Sequence, residues 1–159
     1  MSALGARAGG RPLVEVMHGV NLDQLGRRDA ALYGTLTLAE LEQRVAAQAD
    51  EMGLATSFFH SNHEGRFVER LHALRDGGAD AVLLNPGAWT HYAWAIRDAL
   101  EIAALPAVEV HLSDVAQREP WRRLSVIAEL CVGTVCGRGA DGYRDALALL
   151  REALDGVSA

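Results

Sequence analysis

Five short apolar runs, most of them separated by stretches of helical periodicity, restrict this chain more than any other feature. The runs are "LVEVMH" (Leu13 to His18), "LATSFF" (Leu54 to Phe59), "AVLLN" (Ala81 to Asn85), "AVEVHL" (Ala107 to Leu112) and "LCVGTVC" (Leu130 to Cys136). Such runs read as strands buried on both faces, which requires helices on either side of a parallel sheet. After the first run, Thr37 and Glu40 form a capping box, and Leu38, Leu41, Val45, Ala49 and Met52 recur on one helical face until Gly53. Ser61 with Glu64 predicts a second helix, carrying Phe67, Val68, Leu71 and Leu74 to the stop at Gly77 and Gly78. A third helix is predicted from near Thr90 to before Pro106, a fourth from about Gly142 to Leu154, and a weaker helical turn at Glu119 to Arg123. The alternation predicts an α/β, flavodoxin-like three-layer sandwich with a five-stranded parallel sheet of order 2-1-3-4-5.

With 159 residues the chain suits one domain, and no internal repeat divides it. The reading is a loose tail over 1–12, a single catalytic domain over 13–155 and a short tail over 156–159. A formal net charge of -6 argues against an electrostatic grip on nucleic acid or on an anionic membrane. The tripled arginines of "REPWRR" are too short a basic patch to reverse that in an acidic protein. No apolar run reaches the length of a membrane span, and "MSALGARAGGRP" lacks the apolar stretch of a secretion signal, so a cytoplasmic protein is expected. Cys131 and Cys136, placed on one strand at odd spacing, point to opposite faces and are expected to be reduced core residues, not a disulfide or a metal site.

In a sheet of this order, ligands bind beyond the carboxyl ends of the strands where the order reverses, between strands 1 and 3. His18, Asn21, Arg27, Arg28 and Tyr33 follow strand 1; Asn85, Thr90 and His91 follow strand 3; Glu109, His111, Ser113 and Asp114 come with strand 4. These strands are neighbours, so one rim is expected to collect their side chains. "NPGAWTH" turns strand 3 into a helix, whose N-terminal amides are expected to be free for an oxyanion. No GxGxxG or P-loop lysine motif favours a nucleotide.

Glu109 lies inside an apolar strand, where a carboxylate is costly without a partner, and His111 projects to the same side two residues on. A carboxylate beside an imidazole fixes its tautomer and stabilises its protonated form, as a general acid requires; the same pair also reads as a structural hydrogen bond. The segment "LGRRDAALYG" places two arginines before a tyrosine between Gly26 and Gly34. A free tyrosine, with a pKa of about 10, is a poor base at neutral pH, and nearby guanidiniums favour its anion. The segment therefore reads as a hinged lid carrying a general base, or as a solvated loop. Trp89, Trp94 and Trp121 read as packing or subunit-contact residues, and His60, His63 and His72 as structural or surface residues.

Taken together, "GVNLDQLGRRDAALYGTLTLAELE", "SNHEG", "NPGAWTHYAWAIRDAL", "EVHLSDVAQREPWRRLS" and "CGRGADGY" resemble the type II 3-dehydroquinate dehydratases in order and spacing, from Leu13 to Leu150. The resemblance implies a flavodoxin-like enzyme, assembled as trimers and commonly dodecamers, that dehydrates 3-dehydroquinate to 3-dehydroshikimate without metal or cofactor. By position it makes Tyr33 the base that removes a C2 proton, assisted by Arg28. Asn21 would help hold the water that stabilises an enolate, and His111, oriented by Glu109, would protonate the departing C1 hydroxyl. Asn85, His91 and Arg122 would hold substrate oxygens, Ser113 and the Leu112 backbone the carboxylate, and Asp98 would reach a neighbouring subunit's site. Arg118 matches a family arginine expected near the lid, away from substrate.

The chain also departs from the family's usual residues. His18 and Val20 replace an asparagine and a proline, Asp29-Ala30 a glutamate-proline, Trp89 a tyrosine, Tyr92-Ala93 a threonine-serine, Asp114 an asparagine, and Ala116 and Leu124 two histidines. These departures are expected to alter the pocket wall, Asp114 most of all, since an added carboxylate beside Ser113 would repel an anionic substrate. Three readings follow: a dehydroquinate dehydratase of aromatic biosynthesis or quinate breakdown, a paralogue eliminating water from another hydroxylated ring carboxylate, and a non-catalytic binding or assembly protein. The polar set Arg28, Tyr33, Glu109 and His111 weighs against the last.

Overall fold

The computed structural model describes residues 10–157. Five parallel strands, β1 (Leu13–His18), β2 (Ala55–His60), β3 (Ala81–Asn85), β4 (Ala107–His111) and β5 (Gly133–Cys136), lie in the order β2-β1-β3-β4-β5. Around them are α1 (Ala30–Tyr33), α2 (Leu38–Glu51), α3 (Glu64–Arg75), α4 (Trp94–Ala103) and α5 (Asp141–Val157). Alternating side chains build two cores. Val14, Val16, Leu83 and Val110 face α2 and α5, while Met17, Val82 and Leu84 face α3 and α4. The flavodoxin-like sandwich and its strand order are those expected from the alternation.

Local chemistry explains where elements begin and end. The capping box of α2 is complete: the Thr37 backbone N–H donates to Glu40 Oε2 at 2.8 Å, and Glu40 N–H to Thr37 Oγ1 at 3.3 Å. No equivalent box starts α3, because Ser61 Oγ accepts the His63 N–H at 2.9 Å and holds a tight turn, leaving His63 at the N-cap. The third helix does not start at Thr90. Residues Gly87–His91 form a 3-10 turn, and the Thr90 carbonyl accepts the Val126 N–H at 2.8 Å, so helix resumes only at Trp94. β5 begins at Gly133, later than expected, because Ser125 Oγ accepts the N–H groups of Ile127 and Ala128 and winds Ala128–Leu130 into a 3-10 turn. Cys131 therefore lies outside the strand, and the face argument applied to the cysteines does not hold; both are free and half-buried. Burial pushes the thiol pKa of Cys131 up to about 12 and that of Cys136 up to about 11. The turn predicted near Glu119 is a 3-10 turn over Pro120–Arg123, and α5 runs from Asp141 to Val157, longer than expected.

Of the N-terminal tail, residues 1–9 lie outside the described residues, as do 158–159 at the other end. Arg11 pairs with Asp50 at 2.8 Å, and the Pro12 carbonyl accepts the Ala55 N–H at 2.9 Å, so the end of that segment is tied to β2 and α2. Glu15, in the middle of β1, is fully buried and bonded to Ser57 Oγ and, at 2.6 Å, to Arg70 Nε. Among the described residues no helix is long and apolar enough to cross a membrane.

The ends of β1 and β3 meet closely at the site. Gly19 N–H donates to the Asn85 carbonyl at 2.8 Å, and a Cβ on Gly19 would lie 2.2 Å from the Pro86 carbonyl oxygen. That neighbour is backbone and has little room to shift. Gly19→Ala is expected to lower stability by about 2 kcal/mol or more, read as an earlier urea midpoint at unchanged slope.

Candidate active site

A cleft opens where β1, β3 and β4 end, lined by Asn21, Arg28, Tyr33, Asn85, His91, His111, Leu112, Ser113, Arg118 and Arg122 with Val20, Leu22, Gly87, Ala88 and Val115. Its position is the one the strand order predicts.

On the β4 side, Glu109 is fully buried and both its carboxylate oxygens accept hydrogen bonds. Oε1 accepts from His111 Nε2 at 2.6 Å and from the Thr90 hydroxyl, and Oε2 accepts from Ser125 Oγ at 2.8 Å. Burial alone would raise its pKa, but the hydrogen bond and charge of His111, with the two hydroxyls, outweigh it and hold the carboxyl below its usual value. A carboxylate at Nε2 fixes the imidazole's orientation and leaves Nδ1 as the other ring nitrogen. Parallel to it, His91 stacks at 6.4 Å. His91 Nδ1 must donate to the Leu124 carbonyl, 2.7 Å away, because a carbonyl only accepts. Burial, helped by the nearby charges of His111 and Arg122, pushes the His91 pKa down against the pull of that carbonyl. A neutral ring with its proton on Nδ1 presents Nε2 as an acceptor.

Across the cleft, Tyr33 ends α1. Asp29 caps this single turn by accepting the Ala31 N–H at 2.9 Å, and the flanking Gly26 and Gly34 take φ of +88° and +73°, which glycine adopts without strain. The Tyr33 hydroxyl accepts two guanidinium bonds of 2.7 Å, from Arg28 Nη2 and from Arg118 Nη1. Arg28 also lies 3.7 Å above the tyrosine ring. Two charge-assisted donors occupy both lone pairs of the phenol oxygen, an arrangement complementary to its anion.

Most expected site residues are gathered here, with several corrections. Arg118, expected near the lid, does meet it by clamping Tyr33, but it also lines the cleft and donates to Ser113 Oγ at 3.3 Å. Arg27 is exposed and absent from the cleft, which leaves Arg28 as the lid arginine in contact with Tyr33. His18 turns into the core instead of the rim, and Thr90 lies beneath Glu109. Gly87 N–H is not free for an oxyanion, because Asn85 Oδ1 accepts it at 3.1 Å, and the segment is a 3-10 turn. Asp98 is exposed on α4 and lines no part of this chain's cleft. Arg122 lines the cleft while bonded to Glu119 at 2.7 Å. Among the departures from family usage, only Val20 reaches the cleft. Asp114 instead accepts the Ala116 N–H at 3.1 Å, and the expected alteration of the wall reduces to one residue. Ser125 was missed; a lone serine in a loop carries no sequence signal of its partner.

A phenol oxygen clamped by guanidiniums thus faces, across a cleft on a flavodoxin-like sheet, an imidazole oriented by a buried carboxylate. A family model described as Dehydroquinase class II matches residues 12–151. A 3-dehydroquinate dehydratase of Pelobacter propionicus is 47% identical over 140 residues, covering 88% of this chain and 94% of that protein. The 3-dehydroquinate dehydratase 2 of Pseudomonas putida is 48% identical over 144 residues, covering 91% and 96%. The crystal structure of type II dehydroquinase from Propionibacterium acnes superposes with a TM-score of 0.84 at 38% identity, over 89% of this chain and 97% of that one. The chain belongs to the class II dehydroquinase family.

Because the Glu109 carboxyl is held below its ordinary value of 4.5, its contribution to stability is present above that pH and is lost as pH falls through the folded-state value. Glu109→Gln is expected to show a shallower decline of stability between about pH 5 and pH 3 than the wild type in denaturant titrations. Equal acid slopes would contradict the assignment.

Proposed function

We propose that this chain is a hydro-lyase that converts 3-dehydroquinate to 3-dehydroshikimate through an enolate, with Tyr33 as base and His111 as acid. The observation that carries the reading is the Tyr33 hydroxyl, held by Arg28 and Arg118 across the cleft from the His111 and Glu109 pair. Base and acid on separate walls suit removal of a proton alpha to a ketone followed by loss of a β-hydroxyl.

In this reading the Tyr33 phenolate takes the C2 proton, and the electron pair moves onto the C3 ketone oxygen. Water held by Asn21 hydrogen-bonds that enolate oxygen. The enolate then collapses to form the C1–C2 double bond, the C1–oxygen bond breaks, and His111 gives its proton to the leaving hydroxyl, which departs as water. Glu109 stabilises the imidazolium before that transfer. The proton gained by Tyr33 and the one lost by His111 balance through solvent, and no cofactor enters. Neutral His91 accepts from a substrate hydroxyl, Asn85 and Arg122 hold further oxygens, and Ser113 with the Leu112 backbone takes the carboxylate.

Assembly completes the proposal. Trp94 and Asp98 share one stripe of α4 by their spacing of four, and Trp94, Tyr92, Trp121 and Leu124 are each more than half exposed. A surface of that kind suits a second copy of the chain, with Asp98 reaching the neighbour's cleft in trimers or a dodecamer. Dehydroquinate is preferred over another ring carboxylate because Asp114, Tyr92 and Ala116 stay out of the cleft.

The decisive assay adds 3-dehydroquinate and follows the ultraviolet absorbance of the conjugated enone. Wild type is expected to turn over, Tyr33→Phe to lose roughly 10³-fold in kcat, and Arg118→Ala roughly 10²-fold. A folded, oligomeric wild type without turnover would move the assignment to another hydroxylated ring acid.

A further inference from the structure

One histidine next to the site has no part in the chemistry above. His18, the last residue of β1, is fully buried on the side of the sheet that faces α2 and α5. Neither of its ring nitrogens makes a hydrogen bond, yet Nε2 lies 3.2 Å from Glu42 Oε1 on α2. Its ring stacks on Phe58 of β2 at 6.3 Å and tilts against Tyr143 of α5 at 6.5 Å. Burying an imidazole without a hydrogen bond is costly, and an aliphatic side chain would fill the space without that cost.

Tyr143 connects this histidine to the cleft. Its ring is wholly buried, and its hydroxyl accepts Asn85 Nδ2 at 3.3 Å. The other end of the Asn85 amide accepts Gly87 N–H at 3.1 Å, so both ends of a cleft-lining side chain are held. Asn85 is also the register partner of His18 across β1 and β3. Burial, with the Glu42 carboxylate nearby, pushes the Tyr143 pKa up to about 12, against the Asn85 hydrogen bond, so its hydroxyl stays protonated at neutral pH.

We propose that His18 is a positioning residue for substrate binding: anchored by Glu42, it fixes the Tyr143 ring, and the Tyr143 hydroxyl in turn fixes the Asn85 amide at the floor of the cleft. Only the kinetic readout of this proposal rests on the dehydratase reading.

The test compares wild type with His18→Leu, His18→Gln, Glu42→Gln and Tyr143→Phe. Glutamine at 18 keeps a polar side chain able to approach Glu42, whereas leucine does not. The first readout is the Asn85 side-chain amide signal in ¹⁵N spectra, identified by its disappearance in Asn85→Asp. His18→Leu, Glu42→Gln and Tyr143→Phe are expected to move that signal and to raise KM about tenfold with kcat within about threefold, the signature of lost ground-state binding. His18→Gln is expected to restore both to near wild type. An unmoved Asn85 signal in the folded variants, or a fall in kcat that glutamine does not rescue, overturns the proposal. If His18→Leu does not fold, Glu42→Gln decides the matter from the half-buried side of the pair. A wild type inactive on dehydroquinate sinks the dehydratase reading alone, and the amide signal still decides the role of His18.

Discussion

The buried carboxylate of Glu109 is the constraint on which the site depends. It sits in β4 without access to solvent, and it is tolerated because donors from three segments converge on it: His111 from its own strand, Thr90 from the turn after β3, and Ser125 from the loop before β5. The turn and the loop both bend away from regular structure to supply their donors. The turn at Gly87–His91 stays 3-10, its Thr90 carbonyl is given to Val126, and Ser125 winds the chain that delays β5. A single buried charge thus sets the imidazole orientation and the shape of two loops, since leaving it unpaired would cost more than bending the backbone.

The opposite wall is built on different terms. Tyr33 rides on a single helical turn between two glycines in left-handed conformations, packs partly buried against the core, and has its hydroxyl held by two guanidiniums. Arg28 comes from the same loop, whereas Arg118 arrives from a distant one, so the lid is clamped only when the segment after β4 is in place. That arrangement couples the position of the base to the wall that carries Ser113, which Arg118 also touches.

Much of the fold was legible because the alternation of buried strands and amphipathic helices admits few packings. The capping box at Thr37 and Glu40 was read correctly because it is a local structure, satisfied by residues three apart. The pair at Ser61 and Glu64 has the same spacing but no box, because the serine oxygen was taken by the His63 amide. Burial of a charge in a strand pointed to Glu109, yet Glu15 is buried just as fully, and Arg70 and Ser57 neutralise it from α3 and β2. Register and neighbour separate the two: Glu15 pairs with Val82 of β3, whereas Glu109 pairs with Leu84, two residues nearer the carboxyl ends where the cleft opens, and has His111 beside it.

By itself, then, the sequence determined the sheet, its order, the rim that gathers the polar residues, and the pairing of Glu109 with His111, because these follow from periodicity and from neighbours on one strand. Tertiary structure alone decided that Arg118 clamps Tyr33, that Ser125 completes Glu109, that His18 turns inward toward Glu42 and Tyr143, and that Asp114 turns away from the cleft. The physical reason is the same in each case. Such contacts join side chains brought together by the packing of separate elements, and no local pattern records which way a loop residue must point to satisfy a partner many residues away.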